Sequence, residues 1–131
     1  MSRILVVDDE EGIRTSIRRV LELDGYEVTL AADGDEGELR FRENHPDLVI
    51  TDIVMPGKNG LEMLSNLKAD FPDMKAIVMS GGGGQTSGAE DLAFLLSVAE
   101  GMGIHRTITK PFELADVLSA VRAALEDSSG A

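Results

Sequence analysis

Apolar and polar residues follow two alternating patterns along the chain. Short apolar segments rich in β-branched residues predict the strands of a buried sheet. These segments are Arg3–Asp8, Tyr26–Ala31, Leu48–Thr51, Lys75–Met79 and His105–Thr109. Each is followed by a segment that predicts a helix, the first of which carries Ile13, Ile17 and Leu21 on one face and ends at Gly25. The remaining predicted helices are Asp33–Asn44, Gly60–Ala69, Ala89–Glu100 and Phe112–Leu125.

This strict alternation of strands and helices predicts an α/β domain with a parallel sheet and helices on both faces. Because crossovers between parallel strands are right-handed, the topology narrows to a doubly wound five-stranded parallel sheet with five helices. Four of the strands end in polar or charged side chains, whereas the second offers only small residues and Asp33. That difference favours the strand order 2-1-3-4-5, with the second strand at an edge away from the crevice.

The length of 131 residues corresponds to a single domain. We expect this domain to cover residues 1–126, followed by a short polar tail at 127–131 and no output domain in this chain. The absence of cysteine excludes a disulfide framework, a thiolate metal site and a cysteine nucleophile, and fits a cytoplasmic location. No apolar run is long enough to cross a bilayer, and the first 20 residues lack the layout of a signal peptide.

The charge of the chain limits its partners. Asp and Glu number 24 against 12 Lys and Arg, which gives a formal net charge of −12. Phosphate backbones and anionic lipids repel such a chain, so we expect no direct binding to nucleic acid and no membrane association. A local group of carboxylates can instead attract a divalent cation, although most of these acids are expected only to solvate helix faces.

The residues that carry chemistry lie at the ends of the predicted strands. Asp8 and Asp9 follow the first strand, Asp52 the third, Ser80 the fourth and Lys110 the fifth. In an open parallel sheet, ligands bind beyond the carboxyl ends of the strands, where the strand order reverses. We therefore expect four separated segments to deliver three carboxylates, a hydroxyl and an ammonium group to one place.

These groups together restrict the reaction. Three carboxylates packed together repel one another unless some are protonated or a cation lies among them. Hard oxygen ligands without histidine suit Mg²⁺, and a lysine with a hydroxyl suits a phosphoryl group. A carboxylate beside such a group can act as a nucleophile. The sequence therefore predicts phosphoryl transfer onto an aspartate.

These residues occur in motifs that resemble a known family over nearly the whole chain. The motifs are the acidic pair Asp8-Asp9, the segment Asp52-Ile-Val-Met-Pro-Gly-Lys-Asn-Gly60, Ser80, and Lys110-Pro111-Phe112. In this order they resemble the receiver domain of two-component response regulators (the CheY-like family). The resemblance implies a flavodoxin-like fold and a signalling domain, which is at most capable of self-phosphorylation and slow self-dephosphorylation, instead of an enzyme.

The resemblance also implies a role for each matching residue. Asp52 would be the phosphoacceptor, Ser80 would bond one phosphoryl oxygen, and Lys110 would pair with another. The Mg²⁺ ligands would be Asp9, Asp52 and the carbonyl oxygen of Val54, with Asp8 assisting through water.

The implied partners are a histidine kinase or a phosphotransfer protein, and a downstream effector. The effector would bind the face formed by the fourth helix, the fifth strand and the fifth helix, with the chain a monomer or a weak dimer. Arg14 and Arg18, one turn apart on the first helix, are interpreted as a solvated face, although kinases dock on this helix in the family.

Two positions depart from the family pattern. Thr107 occupies a place where an aromatic residue usually reports phosphorylation, so an aromatic switch is impossible. Glu38 stands where a buried leucine is common, and we therefore expect the second helix to be short or displaced.

Other interpretations of the same residues stay open. A haloacid-dehalogenase-like phosphatase also uses Asp, Ser or Thr, Lys and Mg²⁺, but it carries a second aspartate two residues after the nucleophile, where this chain has Val54. A structural pseudo-receiver would bind no Mg²⁺. The glycine run Gly81–Gly84 matches neither the P-loop nor the Rossmann fingerprint.

Overall fold

The computed structural model describes residues 2–53, 55, 59–80, 97, 98, 100, 101, 104, 106–109 and 111–126. The strands are β1 (Arg3–Val7), β2 (Glu27–Ala31), β3 (Leu48–Asp52), β4 (Ala76–Ser80) and β5 (Arg106–Thr109). The helices within the described ranges are α1 (Glu11–Leu23), α2 (Gly34–Asn44), α3 (Gly60–Asp70) and α4 (Leu114–Glu126). Most of the helix predicted over Ala89–Glu100 lies outside the described residues. In this part of the chain, residues 97, 98, 100 and 101 are described, and they are helical.

The five strands form one parallel sheet in the order β2-β1-β3-β4-β5, which confirms the predicted topology. β1 lies between β2 and β3, with Val7 opposite Ala31 on one side and Thr51 on the other. β3 lies next to β4, and Asp52 is level with Met79. The carboxyl ends of β1, β3 and β4 therefore meet at one edge of the sheet.

Both faces of the sheet are covered, which explains why its strands are apolar without alternation. Successive residues of β1 enter opposite cores: Leu5 and Val7 pack with α2 and α3, and Ile4 and Val6 pack with α1 and α4. All four of these side chains are at most 1% exposed. At roughly 2 kcal/mol for each fully buried aliphatic side chain, this double burial holds β1 firmly at the centre of the sheet.

The end of α1 follows the sequence prediction. Gly25 adopts a left-handed φ of 93° directly after the helix, and its N–H donates to the carbonyl of Glu22 at 3.0 Å. The N–H of Tyr26 donates to the carbonyl of Leu21 at 3.1 Å. These two bonds form a Schellman motif, in which glycine is favoured because it has no Cβ to strain the left-handed backbone.

The second helix was expected to be short or displaced, and the expectation that it is short is wrong. α2 has eleven residues, begins after the N-cap Asp33, and ends at His45 in the left-handed region with φ 47°. The buried position on its inner face is Gly37, which packs against the side chains of Met63 and Val7. Glu38 is only half-buried, and its carboxylate accepts a hydrogen bond from Asn66 Nδ2 of α3 at 2.9 Å. A glycine at the packed position thus makes a large apolar side chain at position 38 unnecessary.

Candidate functional site

The acidic pair follows β1 directly, at the sheet edge where ligands bind in this fold. Asp8 is completely buried, whereas Asp9 is exposed. The backbone N–H of Asp8 donates to the carbonyl of Ala31 at 3.1 Å, and its Oδ1 accepts the backbone N–H of Glu10 at 2.8 Å. A buried carboxylate is therefore hydrogen-bonded at the amino-terminal end of α1, where the helix dipole favours negative charge.

Asp52 is the last residue of β3 and is 7% exposed. Its carbonyl oxygen accepts the hydroxyl hydrogen bond of Thr51 at 3.0 Å. The start of α3 lies directly against this backbone, since a Cβ on Gly60 would overlap the Asp52 carbonyl oxygen. The N–H of Gly60 donates to the carbonyl of Ile53 at 2.9 Å. Gly60 is thus required for the close approach of α3 to the end of β3.

One carboxylate oxygen from each of Asp8, Asp9 and Asp52 lies within 4.8 Å of the others. The predicted convergence of these three residues is therefore present in the structure. Asp8 and Asp52 come from neighbouring strands, and Asp9 reaches the same place from the turn into α1. Their proximity needs compensation, because each pair of like charges at this distance is repulsive.

The arrangement of oxygens is compatible with a small divalent cation. Mg²⁺ binds oxygen at about 2.0–2.1 Å, so two ligands on opposite sides of it lie about 4.2 Å apart. The oxygens of the acidic cluster lie within 4.8 Å of one another, and carboxylates are ligands that suit Mg²⁺. Asp8, Asp9 and Asp52 form a cluster that could bind a metal ion, with the exposed Asp9 on the side open to solvent.

Ser80 is the last residue of β4, the strand that pairs with β3, and it is 2% exposed. The N–H of Ile53, directly after Asp52, donates to the carbonyl of Met79 at 3.0 Å. Ser80 therefore ends its strand next to the end of the Asp52 strand, as the sequence predicted. Val54 and Lys110, the other two predicted site residues, lie outside the described residues.

Arg14 is a contact of the site that the sequence interpretation missed. Its guanidinium Nη1 donates to the carbonyl oxygen of Asp8 at 2.7 Å, and the residue is half-buried. The expectation that Arg14 belongs to a solvated face is therefore wrong, whereas Arg18 lies 4.0 Å from Glu22 in a contact between two exposed side chains. The sequence could have indicated this contact, because Arg14 lies in the first turn of α1. Side chains on a helix point toward its amino-terminal end, which brings a long side chain at this position back over the end of β1.

The chain is an α/β protein with a doubly wound parallel sheet and an acidic cluster beyond the ends of its central strands. Residues 4–122 match the family described as the response regulator receiver domain. The chain belongs to this family. Receiver domains belong to two-component signalling, in which their partners are histidine kinases and effector domains.

Individual relatives agree with the family match. The response regulator MprA of Mycobacterium sp. (strain KMS) is 37% identical over 127 residues, which are 97% of this chain and 52% of that protein. This chain thus spans about half the length of the curated relatives that it matches.

Solved structures show the same fold. A response regulator receiver domain protein from Clostridium thermocellum superposes with a TM-score of 0.82 at 34% identity, covering 98% of each chain. A CheY-like receiver domain protein from Methanospirillum hungatei JF-1 gives a TM-score of 0.84 at 29% identity, covering 98% of this chain and 97% of that one. Among the described residues, no helix is both long and apolar enough to span a membrane.

Proposed function

We propose that the chain is the phosphoaccepting receiver of a two-component phosphorelay, with Asp52 as the phosphoacceptor. The observation that carries this proposal is the convergence of the Asp8, Asp9 and Asp52 oxygens within 4.8 Å at the carboxyl edge of the sheet. Asp52 is the residue of the three that ends a central strand and faces the neighbouring Ser80 strand. Asp8 and Asp9 would serve as metal ligands, the former through water.

The proposed reaction transfers a phosphoryl group from a phosphohistidine of a histidine kinase or phosphotransfer protein. An Asp52 carboxylate oxygen forms the new bond to phosphorus, while the phosphorus–nitrogen bond of the phosphohistidine breaks. The electron pair of that bond stays on the imidazole, which takes a proton from solvent. A bound Mg²⁺ would supply neutralisation of the charge on the phosphoryl oxygens. Asp9, Asp52 and the carbonyl of Val54 would hold it.

Ser80 and Lys110 would receive the phosphoryl group after transfer. Phosphorylation adds up to about two negative charges, which a hydroxyl donor and an ammonium group can engage. Ser80 is almost fully buried at the end of β4, so a new bond to it would alter the packing at this end of the strand. This change would bias a pre-existing equilibrium on the face formed by β5, α4 and the helix predicted over Ala89–Glu100.

An effector would bind that face, and the exchange with a kinase would take place in the cytoplasm. Position 107 lies in β5 on this face, where Thr107 is exposed. Because no aromatic side chain is present there, the output would depend on the backbone and packing around Ser80. Slow self-dephosphorylation is the only hydrolysis that we propose for the chain.

Intact mass measurement after treatment with acetyl phosphate and Mg²⁺ tests the proposal. We expect the wild-type chain to gain one phosphoryl group and Asp52→Asn to gain none. Asp73→Asn, which removes an exposed carboxylate before β4, is the matched control and should be labelled like the wild type. Labelling that persists in Asp52→Asn would refute the assignment of the phosphoacceptor.

A further inference from the structure

The contact between Arg14 and Asp8 involves the backbone between the two acidic residues that follow β1. The carbonyl oxygen that accepts the 2.7 Å bond from Arg14 Nη1 belongs to the peptide group that joins Asp8 to Asp9. A hydrogen bond from a guanidinium group is charge-assisted and directional. Arg14 therefore restrains the plane of this peptide group, and with it the direction in which Asp9 leaves the strand.

The other polar groups of Asp8 are also restrained. Its N–H is bonded to Ala31 of β2, and its carboxylate accepts the N–H of Glu10. The carbonyl is the remaining backbone group, and Arg14 is the side chain that restrains it. Asp8 is thus held by β2, by the start of α1 and by the Arg14 side chain. Asp9 is exposed, and the orientation of its backbone sets the direction of its Cα–Cβ bond and thus the positions that its carboxylate can reach.

We propose that Arg14 is a positioning residue of the metal site, because it holds the Asp8–Asp9 peptide group in the orientation that brings the Asp9 carboxylate to Asp8 and Asp52. This inference rests on the proposed binding of Mg²⁺ by these carboxylates. It assigns no contact between Arg14 and the phosphoryl group. The hydrogen bond to the Asp8 carbonyl also explains why the Arg14 side chain is half-buried and not fully solvated.

The positive charge of Arg14 disfavours Mg²⁺ binding, whereas its restraint of the peptide group favours it. A guanidinium group near the acidic cluster repels Mg²⁺, so its removal would by itself strengthen metal binding. Loss of the peptide restraint would weaken binding, because Asp9 would have to be ordered when the metal binds. The sign of the change in Mg²⁺ affinity therefore separates a positioning role from a purely electrostatic one.

Titration of the unphosphorylated chain with Mg²⁺, followed by calorimetry and by the amide NMR signals of Asp9 and Glu10, tests the inference. Arg14→Met keeps the aliphatic stem but removes the charge and the donor, and we expect it to weaken Mg²⁺ binding about 10-fold. Arg14→Lys keeps the charge but replaces the planar group with a single ammonium, and we expect an intermediate affinity. Arg18→Met, one turn further along α1, is the matched control and should bind like the wild type.

Each outcome has a defined meaning. Unchanged or tighter binding by Arg14→Met overturns the positioning role, as does wild-type affinity in Arg14→Lys. Weaker binding in Arg18→Met to the same extent also overturns it, because the effect would then be a general loss of helix stability. If Arg14→Met does not fold, the comparison of Arg14→Lys with the wild type decides the question. Absence of Mg²⁺ binding by the wild type would instead refute the proposed metal site and the role of Arg14 together.

Discussion

Asp24, at the end of α1, and Arg122, in α4, form a two-bond ion pair across 98 residues of sequence. Arg122 Nη2 lies 2.7 Å from Asp24 Oδ1, and Nε lies 3.2 Å from Oδ2. The hydrogen bonds from Arg122 lower the pKa of Asp24 below its usual value of 3.8, against a smaller opposing effect of desolvation. The pair links the two helices that cover the same face of the sheet.

The Asp24–Arg122 pair predicts a specific dependence of stability on pH. Because the pKa of Asp24 is lowered in the folded state, its stabilising contribution is complete above 3.8 and is lost as the pH falls through the folded pKa. We expect Asp24→Asn to lower the unfolding midpoint slightly at pH 7, since the pair is solvent-exposed. The difference from the wild type should disappear at acid pH. Urea unfolding of both chains across this range measures it, and a difference independent of pH would contradict the assignment.

Gly60→Ala is expected to destabilise the fold by about 1–3 kcal/mol, a range typical of overpacking. The new Cβ would overlap the Asp52 carbonyl oxygen and approach Thr51 Oγ1 to 3.0 Å, so α3 must shift away from the end of β3. The same shift would displace Asp52 and reduce its phosphorylation. Denaturant unfolding and mass measurement after phosphodonor treatment report the two effects.

Gly12→Ala is the control for this substitution. Gly12 lies in α1, and within the described ranges a Cβ there would meet no atom within 4 Å apart from the backbone of its own helix. Alanine favours the helix over glycine, so we expect Gly12→Ala to be neutral or to stabilise by about 0.5–1 kcal/mol. Equal destabilisation by both substitutions would show that the contact with Asp52 is not what makes Gly60 necessary.

Asp9→Asn is expected to reverse its effect on stability when Mg²⁺ is added. In a chelator, it removes one of three clustered negative charges and should raise the unfolding midpoint by relieving repulsion. With Mg²⁺ at 100 times the dissociation constant, the wild type should gain about 2.7 kcal/mol from binding, and the variant much less.

Thermal unfolding in chelator and in Mg²⁺ tests this reversal, with Asp73→Asn as the control carboxylate. The control should follow the wild type under both conditions. An Asp9→Asn chain that gains as much from Mg²⁺ as the wild type would exclude Asp9 from the metal ligands.

Lys75→Met is expected to loosen the last turn of α4. Lys75 Nζ, directly before β4, donates at 3.0 Å to the carbonyl of Ala124, which lies in the last turn of α4, where carbonyl groups run out of partners within the helix. Loss of this hydrogen bond should lower the free energy of unfolding by about 1–2 kcal/mol. Amide hydrogen exchange in α4 and urea unfolding measure this effect. Lys68→Met removes a longer, exposed bond of 3.4 Å to Pro72 and should change little, so equal effects would contradict this interpretation.

Hydrolysis of a generic phosphomonoester distinguishes the receiver from the phosphatase alternative. The chain has Val54 where that phosphatase class carries its acidic residue, so a leaving group cannot be protonated from this position. We expect phosphate release by the wild type to equal that of Asp52→Asn. Turnover that is abolished in Asp52→Asn would favour the phosphatase.

The alternation of apolar segments predicted the doubly wound parallel sheet, because each β–α unit is encoded locally and right-handed crossovers leave few topologies. The polar residues at four strand ends and their absence from the second strand then predicted the observed strand order. The same reasoning located Asp8, Asp9, Asp52 and Ser80, since the carboxyl ends of parallel strands must meet at one edge. The expectation that the second helix is short was wrong for a packing reason. The burial of Gly37 against Met63 cannot be seen in the helical periodicity of α2 alone.

The sequence by itself determined the alternating elements, their order and the strand ends at which the acidic residues lie, because burial on two faces requires a local pattern of apolar side chains. Only the tertiary structure decided that Arg14 restrains the Asp8 carbonyl, that α3 approaches Asp52 too closely for a Cβ at position 60, and that Asp24 meets Arg122. These contacts depend on the relative placement of packed elements, and residue periodicity carries no information about that placement.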